Sequence, residues 1–231
     1  MEDIVVERVV YHMNKSIGVF IPARTTSKRL PNKLLLPFGN TNLFDIACEK
    51  VSNLPDKYGK YALVCEDTLI EIAKNHKLNI LLRDKNTIDI DDPILKVMGA
   101  VSQAKEDYLM FLNPCLAFFT TEMICDCLNK FEDMLDSGIE YATSVKPFKN
   151  WVFDIDSNPV TPINYYELNT KNINGLYQAA HCFHIFNKNE FLETGMMLQK
   201  KHGIIEVPNI ATIDVDTLEE YEYARWKYGS I

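Results

Sequence analysis

No apolar run in the 231-residue sequence approaches the roughly 20 residues that cross a bilayer as a helix, so no membrane span is expected. Positive charge is scarce as well: 24 Lys and Arg stand against 32 Asp and Glu, a net charge of −8. Nucleic acid and anionic membranes attract a basic face, so neither is an expected partner, and any bound polyanion should be small and held locally. With nine glycines the chain contains neither G-x-x-x-x-G-K-[ST] nor G-x-G-x-x-G, which argues against a P-loop kinase and a dinucleotide dehydrogenase. The six cysteines, Cys48, Cys65, Cys115, Cys125, Cys127 and Cys182, are scattered through apolar stretches, and Cys125-x-Cys127 lacks zinc spacing. Buried thiols of this kind suit a reducing compartment, and the acidic start "MEDIVVERVVYHMNK" differs from a secretion signal. A cytoplasmic location is the expectation. Repeats, low-complexity tracts and Gly/Ser linkers are absent too.

What is present is an alternation. "SIGVFIPA", "KYALVC", "LNILLR", "DYLMFLN" and "EYATSVK" are short, apolar and rich in β-branched or aromatic residues, as strands are. Between them Asn42 can cap a helix over "LFDIACEKVSN", and Thr68 with Glu71 predicts a capping box opening "LIEIAKNHK". Asp92-Pro93 predicts the start of "ILKVMGAVSQAK", and Thr120 or Thr121 that of "EMICDCLNKFEDML". Near the end Thr217 and Glu220 form another capping box, with Leu218, Tyr221, Ala224 and Tyr228 on one helical face. Hydrophobic content of 47% is ample for a core, and the spacing predicts an α/β fold with a mostly parallel sheet covered by helices on both faces.

The alternation breaks between about Pro147 and Leu176, a Pro-, Asn- and aromatic-rich excursion. Strand-like "HCFHIFN" then returns to the core, followed by a helix near Glu190 to Lys200. His181 and His184 lie three apart on this strand, so they should face opposite ways and serve structural roles. The tail Met1 to Ser16 carries "IVVERVV", which could form an edge strand or a short helix.

The stretch "IPARTTSKRLPNK" packs Arg24, Lys28, Arg29 and Lys33 into a loop leaving the first strand. In an open parallel sheet ligands gather at the carboxyl ends of strands, and four cations among small hydroxyl residues describe a phosphate site. A solvated surface loop with scattered charges is the equal alternative on composition alone.

"IPARTTSKRLPNKLLLPFGNTNLFDIA" resembles the opening of the sugar cytidylyltransferases, the CMP-sialic acid, CMP-Kdo and CMP-pseudaminate synthetase type, in which P-A-R-x-x-S-[KT]-x-[LI]-P-x-K follows the first strand. "LMFLNPCLAFFTTEMI", "GLYQAAHCFHIFNKNEF" and "TIDVDTLEEYEYA" are similar to later family segments, in the same order. The resemblance covers about Ile17 to Tyr228 as one domain and implies a nucleotide-diphospho-sugar transferase fold, a magnesium-dependent reaction and a homodimer, with 147–176 as the dimerisation excursion. The implied reaction is attack by the anomeric hydroxyl of an acidic 2-keto sugar on the α-phosphorus of CTP, with loss of pyrophosphate.

Residue by residue, the resemblance implies that Pro22, Ala23, Arg24, Thr25, Ser27 and Lys28 wrap the nucleotide, with Arg83 a further nucleotide contact. Arg24 and Lys28 would grip the phosphates, and Lys33 would stabilise the departing pyrophosphate. Arg29 falls at a variable position and is expected to be a surface charge. Thr25-Thr26 replaces the usual pair of glycines, and Asn113 stands where a glutamine defines the sugar side, with Gln178 also lining that pocket. Asp214 and Asp216 in "IDVD" would, on a strand, present both carboxylates on one face, a ligand pair for Mg²⁺; helix capping by one of them is the alternative. Two rival functions remain: another nucleotidyltransferase or glycosyltransferase of the same fold, and a nucleotide-binding protein without turnover.

Overall fold

The computed structural model describes residues 15–87, 93–161, 163, 166, 169–170 and 175–230. The expected roles of Asp92 and of the tail up to residue 14 lie outside the described residues. The chain builds a seven-stranded sheet in the order β5-β4-β1-β6-β8-β7-β9. Its strands are β1 (Ile17–Pro22), β4 (Gly59–Val64), β5 (Asn79–Leu82), β6 (Tyr108–Leu112), β7 (Ala142–Phe148), β8 (Leu176–Asn187) and β9 (Gly203–Glu206); β2 (Pro37–Phe38) and β3 (Thr41–Asn42) form a small separate hairpin. Strands β5, β4, β1 and β6 run parallel, β8 runs antiparallel to β6 and β7, and β9 is parallel to β7. The mostly parallel α/β architecture expected from the alternation is therefore present.

Helices α1 (Leu43–Ser52), α2 (Asp67–Asn75), α4 (Thr121–Asp136) and α6 (Leu218–Tyr228) pack on one face, and α3 (Ile94–Met98) and α5 (Lys188–Thr194) on the other. Local chemistry sets their starts. The Asn42 side chain accepts from Asp45 N at 2.9 Å, and the Thr120 hydroxyl from Met123 N at 3.4 Å, each satisfying a first-turn amide that the helix leaves open. In α4, Ile124, Cys127, Leu128, Phe131 and Leu135 are buried at the spacing of one helical face, each large side chain contributing about 1.5–3 kcal/mol.

Several local expectations differ from the structure. Helix α2 starts at Asp67, which puts Thr68 inside the first turn, so the Thr68–Glu71 box does not form. Pro93 occupies the cap position, and the predicted helix there continues beyond Met98 only as a 3-10 turn. The Thr217–Glu220 box is present and Tyr221 and Ala224 are buried, but Leu218 is 56% exposed at the very first turn. The helix after β8 stops at Thr194, where Gly195 adopts a positive φ of 71°. "IDVD" is not a strand: after a 3-10 turn over Asn209–Thr212, residues 213–216 run without regular structure into α6.

The largest departure lies in β8. Thr143 pairs with His184 and Val145 with Ala179, so the single residue Ser144 faces four on the partner strand. The bulge is closed by the buried Ser144 hydroxyl, which accepts from Cys182 N at 2.8 Å and Phe183 N at 3.2 Å. Within it His181 takes a left-handed φ of 52°, which reverses the alternation on which opposite-facing histidines depended. The rings of His181 and His184 lie 6.3 Å apart, edge to face.

Candidate active site

The loop after β1 crosses the carboxyl ends of β4 and β5, and backbone bonds fix it there. Ala23 N donates to Leu63 O at 3.1 Å, and Arg83 N to Val64 O at 3.0 Å, so Pro22, Ala23 and Arg24 at the end of β1 and Arg83 after β5 flank the end of β4, which lies between them. Arg24 lies close enough to Arg83 for their charges to oppose one another. Arg83 is only 5% exposed; burial lowers its pKa, partly countered by Cys65 and Glu66. Thr25 is the hub of the turn: its carbonyl accepts from Ser27 N at 3.0 Å and Asn32 N at 3.2 Å. Positive φ in this loop falls on Asn32, at 56°, and not on Thr25 or Thr26, so threonines in place of glycines carry no backbone penalty. Ser27 receives Leu30 N at 3.4 Å, and Lys28 stays exposed on the rim.

Asn32 ends this turn and begins a 3-10 turn that aims Lys33 at the other end of the chain. Lys33 Nζ donates to Val215 O at 2.9 Å and to Asp216 Oδ1 at 2.6 Å. Arg29 reaches the second oxygen of the same carboxylate at 2.8 Å. Arg29 is a surface charge as expected, its side chain 66% exposed, but it also pairs with Asp216. Asp214 bonds backward, its Oδ1 accepting from Val215 N and its Oδ2 from the Asn113 amide at 3.1 Å. Burial, and then the charge of Asp216, push the Asp214 carboxyl up, while Lys33 and Asn113 oppose the shift. The two acids therefore share a site without a strand, because an extended turn tied by Asn113 and Lys33 replaces the ladder.

Asn113 also donates to His181 O at 3.3 Å and accepts Cys115 N at 2.9 Å. The Cys115 thiol, buried beside Lys33, is pushed up to about 11 by burial. Burial opposes the charge on Lys33, but Cys115 and Asp216 outweigh it and raise the Lys33 pKa. His184, half-buried behind the bulge at 3.0 Å from the Thr143 hydroxyl, is lowered to about 4 by desolvation and then by His181. Gln178 stands apart, exposed and paired with Lys146 beyond the bulge.

Arg29 and Lys33 of the front loop thus meet Asp216 near the end of the chain, with Asn113 on Asp214, while Arg24 lies at the other side of the loop near Arg83. The family model for cytidylyltransferases matches residues 19–224. The chain belongs to the cytidylyltransferase family. Among relatives of this cytidylyltransferase, two pseudaminic acid cytidylyltransferases of Campylobacter jejuni, serotypes O:2 and O:23/36, are each 22% identical over 219 residues, covering 90% of this chain and 94% of theirs. A solved CMP:2-keto-3-deoxy-manno-octonic acid synthetase complexed with CTP superposes with a TM-score of 0.67 at 14% identity, covering 94% of this chain and 99% of that one. A cytidylyltransferase from Leptospira borgpetersenii gives 0.60 at 18% identity, covering 94% and 88%. Both structures share the fold of this cytidylyltransferase.

Sequence reasoning missed three members of the site: Arg29, Cys115 and Glu66, the last of which accepts from Thr25. Arg29 had a signal, its place within the cation cluster. Nothing in the sequence points to the other two.

Proposed function

We propose that this cytidylyltransferase transfers CMP from CTP to an acidic 2-keto sugar of the pseudaminic or related eight- or nine-carbon class, with release of pyrophosphate. The observation that carries the proposal is the meeting of Lys33 with Asp216, which joins a phosphate-gripping loop to an acid pair. The anomeric hydroxyl oxygen bonds to the α-phosphorus, the bond from that phosphorus to the bridging oxygen breaks, and the hydroxyl proton leaves to solvent. Little covalent chemistry falls to the protein, so its contribution is alignment and neutralisation of charge. Arg24, Lys28 and Arg83 supply positive charge for the triphosphate, and Lys33 for the departing pyrophosphate. Asn113 orients Asp214 and would face the sugar side, and Gln178 lies further out, on β8.

The donor set suits magnesium. Asp214 and Asp216 are hard oxygen ligands held together against their own repulsion, an arrangement a divalent cation relieves, and two carboxylates leave positions for phosphate oxygens and water. When bound, Mg²⁺ would supply further neutralisation of the phosphate charge. The rival of a nucleotide-binding protein without turnover is disfavoured by the intact Lys33–Asp216 contact.

A homodimer is part of the proposal. The excursion between β7 and β8 exposes Phe153, Ile155 and Tyr166, the last two at 100% and 98%, and a second copy of the chain would cover them. No helix among the described residues is long and apolar enough to cross a membrane.

Pyrophosphate release measured with each of the four nucleoside triphosphates against a panel of 2-keto sugar acids, with and without Mg²⁺, tests the reaction. Release with CTP and one acidic sugar, dependent on Mg²⁺, is expected; silence across the panel would restore the rival without turnover. Sedimentation of a variant lacking residues 149–175 should give monomers, and an unchanged dimer would remove the excursion from the interface.

A further inference from the structure

Glu66 lies between the end of β4 at Val64 and the start of α2 at Asp67, in the cap position of that helix, its carbonyl accepting from Ile70 N at 3.0 Å. Its side chain makes no bond to the first turn of the helix, as the shorter Ser, Thr, Asp or Asn would. The carboxylate turns instead to the neighbouring loop. Its Oε1 accepts both Thr25 N, at 2.9 Å, and the Thr25 hydroxyl, at 3.2 Å. Its Oε2 takes Cys65 N at 3.4 Å and the Cys65 thiol at 3.2 Å.

We propose that Glu66 is a positioning residue that holds the nucleotide loop in its binding shape, acting through Thr25 and not through contact with the nucleotide. The inference rests on the reading of this loop as the triphosphate site. A chain of contacts connects it to that site. Thr25 is flanked by Arg24, and its carbonyl pins Ser27 and Asn32; Asn32 in turn starts the 3-10 turn that delivers Lys33 to Asp216. Freeing Thr25 from Glu66 therefore loosens the segment that carries Arg24 and Lys33 together. The carboxylate also favours the charged form of buried Arg83, so one side chain ties together loops from β1, β4 and β5. Burial works against the ionised carboxylate, but the donors from Thr25 and Cys65 outweigh it and hold its pKa below the ordinary value.

Placing an anion beside a triphosphate loop has an electrostatic cost, and that cost makes the idea testable, because reach and charge predict opposite outcomes. Glu66→Gln keeps an oxygen for Thr25 and removes the charge. Glu66→Asp keeps the charge and withdraws the oxygen by one methylene, and Glu66→Ala removes both. The measurements are the dissociation constant for CTP by calorimetry, then KM and kcat with the sugar acid found active. For a contact of this kind, Glu66→Ala and Glu66→Asp should each weaken CTP binding by about tenfold. Because bound CTP would reorder the loop and return Lys33 to its place, their kcat at saturating CTP should fall by less than their affinity for CTP, and KM for the sugar should stay close to wild type. Glu66→Gln should bind CTP as tightly as wild type or more tightly. Wild-type affinity in Glu66→Asp, with loss in Glu66→Gln, would show that charge and not reach matters and overturn the proposal. Tighter binding in Glu66→Ala would make Glu66 a competitor of the phosphates and overturn it equally. A wild-type protein that binds no CTP would instead overturn the triphosphate reading beneath it, whereas wild-type binding with all three variants unchanged removes Glu66 alone.

Discussion

The two ends of the site are held by different means. At the cation end, residues 22–33, 64–66 and 83 leave neighbouring parallel strands and are fixed mainly by backbone bonds between adjacent loops, such as Ala23 to Leu63 and Arg83 to Val64. At the acid end, residues 113–115, 181–184 and 214–216 come from distant parts of the chain and are fixed by side chains. Asn113 reaches Asp214 across 101 residues, and Ser144 reaches Cys182 across 38. The first end follows from sheet topology. The second depends on a few polar side chains, each of which can be deleted singly, so mutations should separate the two.

The largest effect is expected where the ends join. Asp216→Asn removes a charge that both Lys33 and Arg29 face, and Lys33→Met removes the cation itself. Loss of one preorganised charged group of this kind slows turnover by about 10²–10³-fold. Pyrophosphate release should fall accordingly in both variants while circular dichroism stays unchanged. Near-normal turnover in either would dissolve the link between the ends.

Next comes the acid end alone. Ser144 is fully buried, and its hydroxyl is the acceptor for two backbone amides in the β8 bulge. Ser144→Ala leaves both amides buried without that oxygen, a loss of about 1–3 kcal/mol per group before relaxation. Denaturant midpoints should register it as the most destabilising single-atom deletion among these variants. An unchanged midpoint would mean that the bulge is held by the ladder on either side.

How much of this was legible depends on how far apart the interacting residues lie. Asn42 and Thr217 announced their helices because a cap involves residues three apart, and β1, β4, β5 and β6 declared themselves by composition. Thr68 misled because the start of α2 is set by where β4 ends, not by the best local capping pattern. Asp214 and Asp216 were recognised as a pair by spacing, yet for the wrong geometric reason, since a tied turn and not a strand brings them together. The bulge left no local mark: "HCFHIFN" has the period of a plain strand, and only the mismatch with β7 across Ser144 folds His181 toward His184. Glu66 was equally silent, because its partner lies 41 residues away in another loop.

A smaller effect concerns the support beneath the acid end. Lys50, in the last turn of α1, donates to Leu116 O at 2.7 Å, just past Cys115. Burial lowers its pKa to about 7 from the free value of 10.5, against weak opposition from Glu49 and Cys182. The folded protein therefore releases this proton near neutrality while the unfolded chain keeps it to much higher pH. Between those values the unfolded state holds the Lys50 proton and the folded state does not, so the contribution of this group to stability rises with pH, by up to about 1.4 kcal/mol per pH unit. The six free cysteines pull the other way in the same range, because unfolded thiols ionise near the ordinary value of about 8.5 while burial holds the folded ones protonated. The difference between wild type and Lys50→Met from about pH 7 to 8.5 therefore isolates Lys50: the variant should show the lower slope of stability against pH, and equal slopes would remove Lys50 as a contributor.

The smallest expected change is at His181, whose left-handed backbone makes it the point of local strain in the bulge. Glycine accepts that conformation freely, saving about 1–2 kcal/mol, but loses about 0.5–1 kcal/mol through the greater freedom of the unfolded chain. His181→Gly should therefore match or slightly exceed wild type in denaturation, whereas a β-branched valine, poorly suited to positive φ, should lose stability. Because His181 is exposed and its carbonyl accepts from Asn113, the same glycine variant also separates backbone from imidazole at the acid end. Unchanged turnover would assign the contribution of this residue to its carbonyl. A fall in turnover without a fall in stability would assign it to the ring.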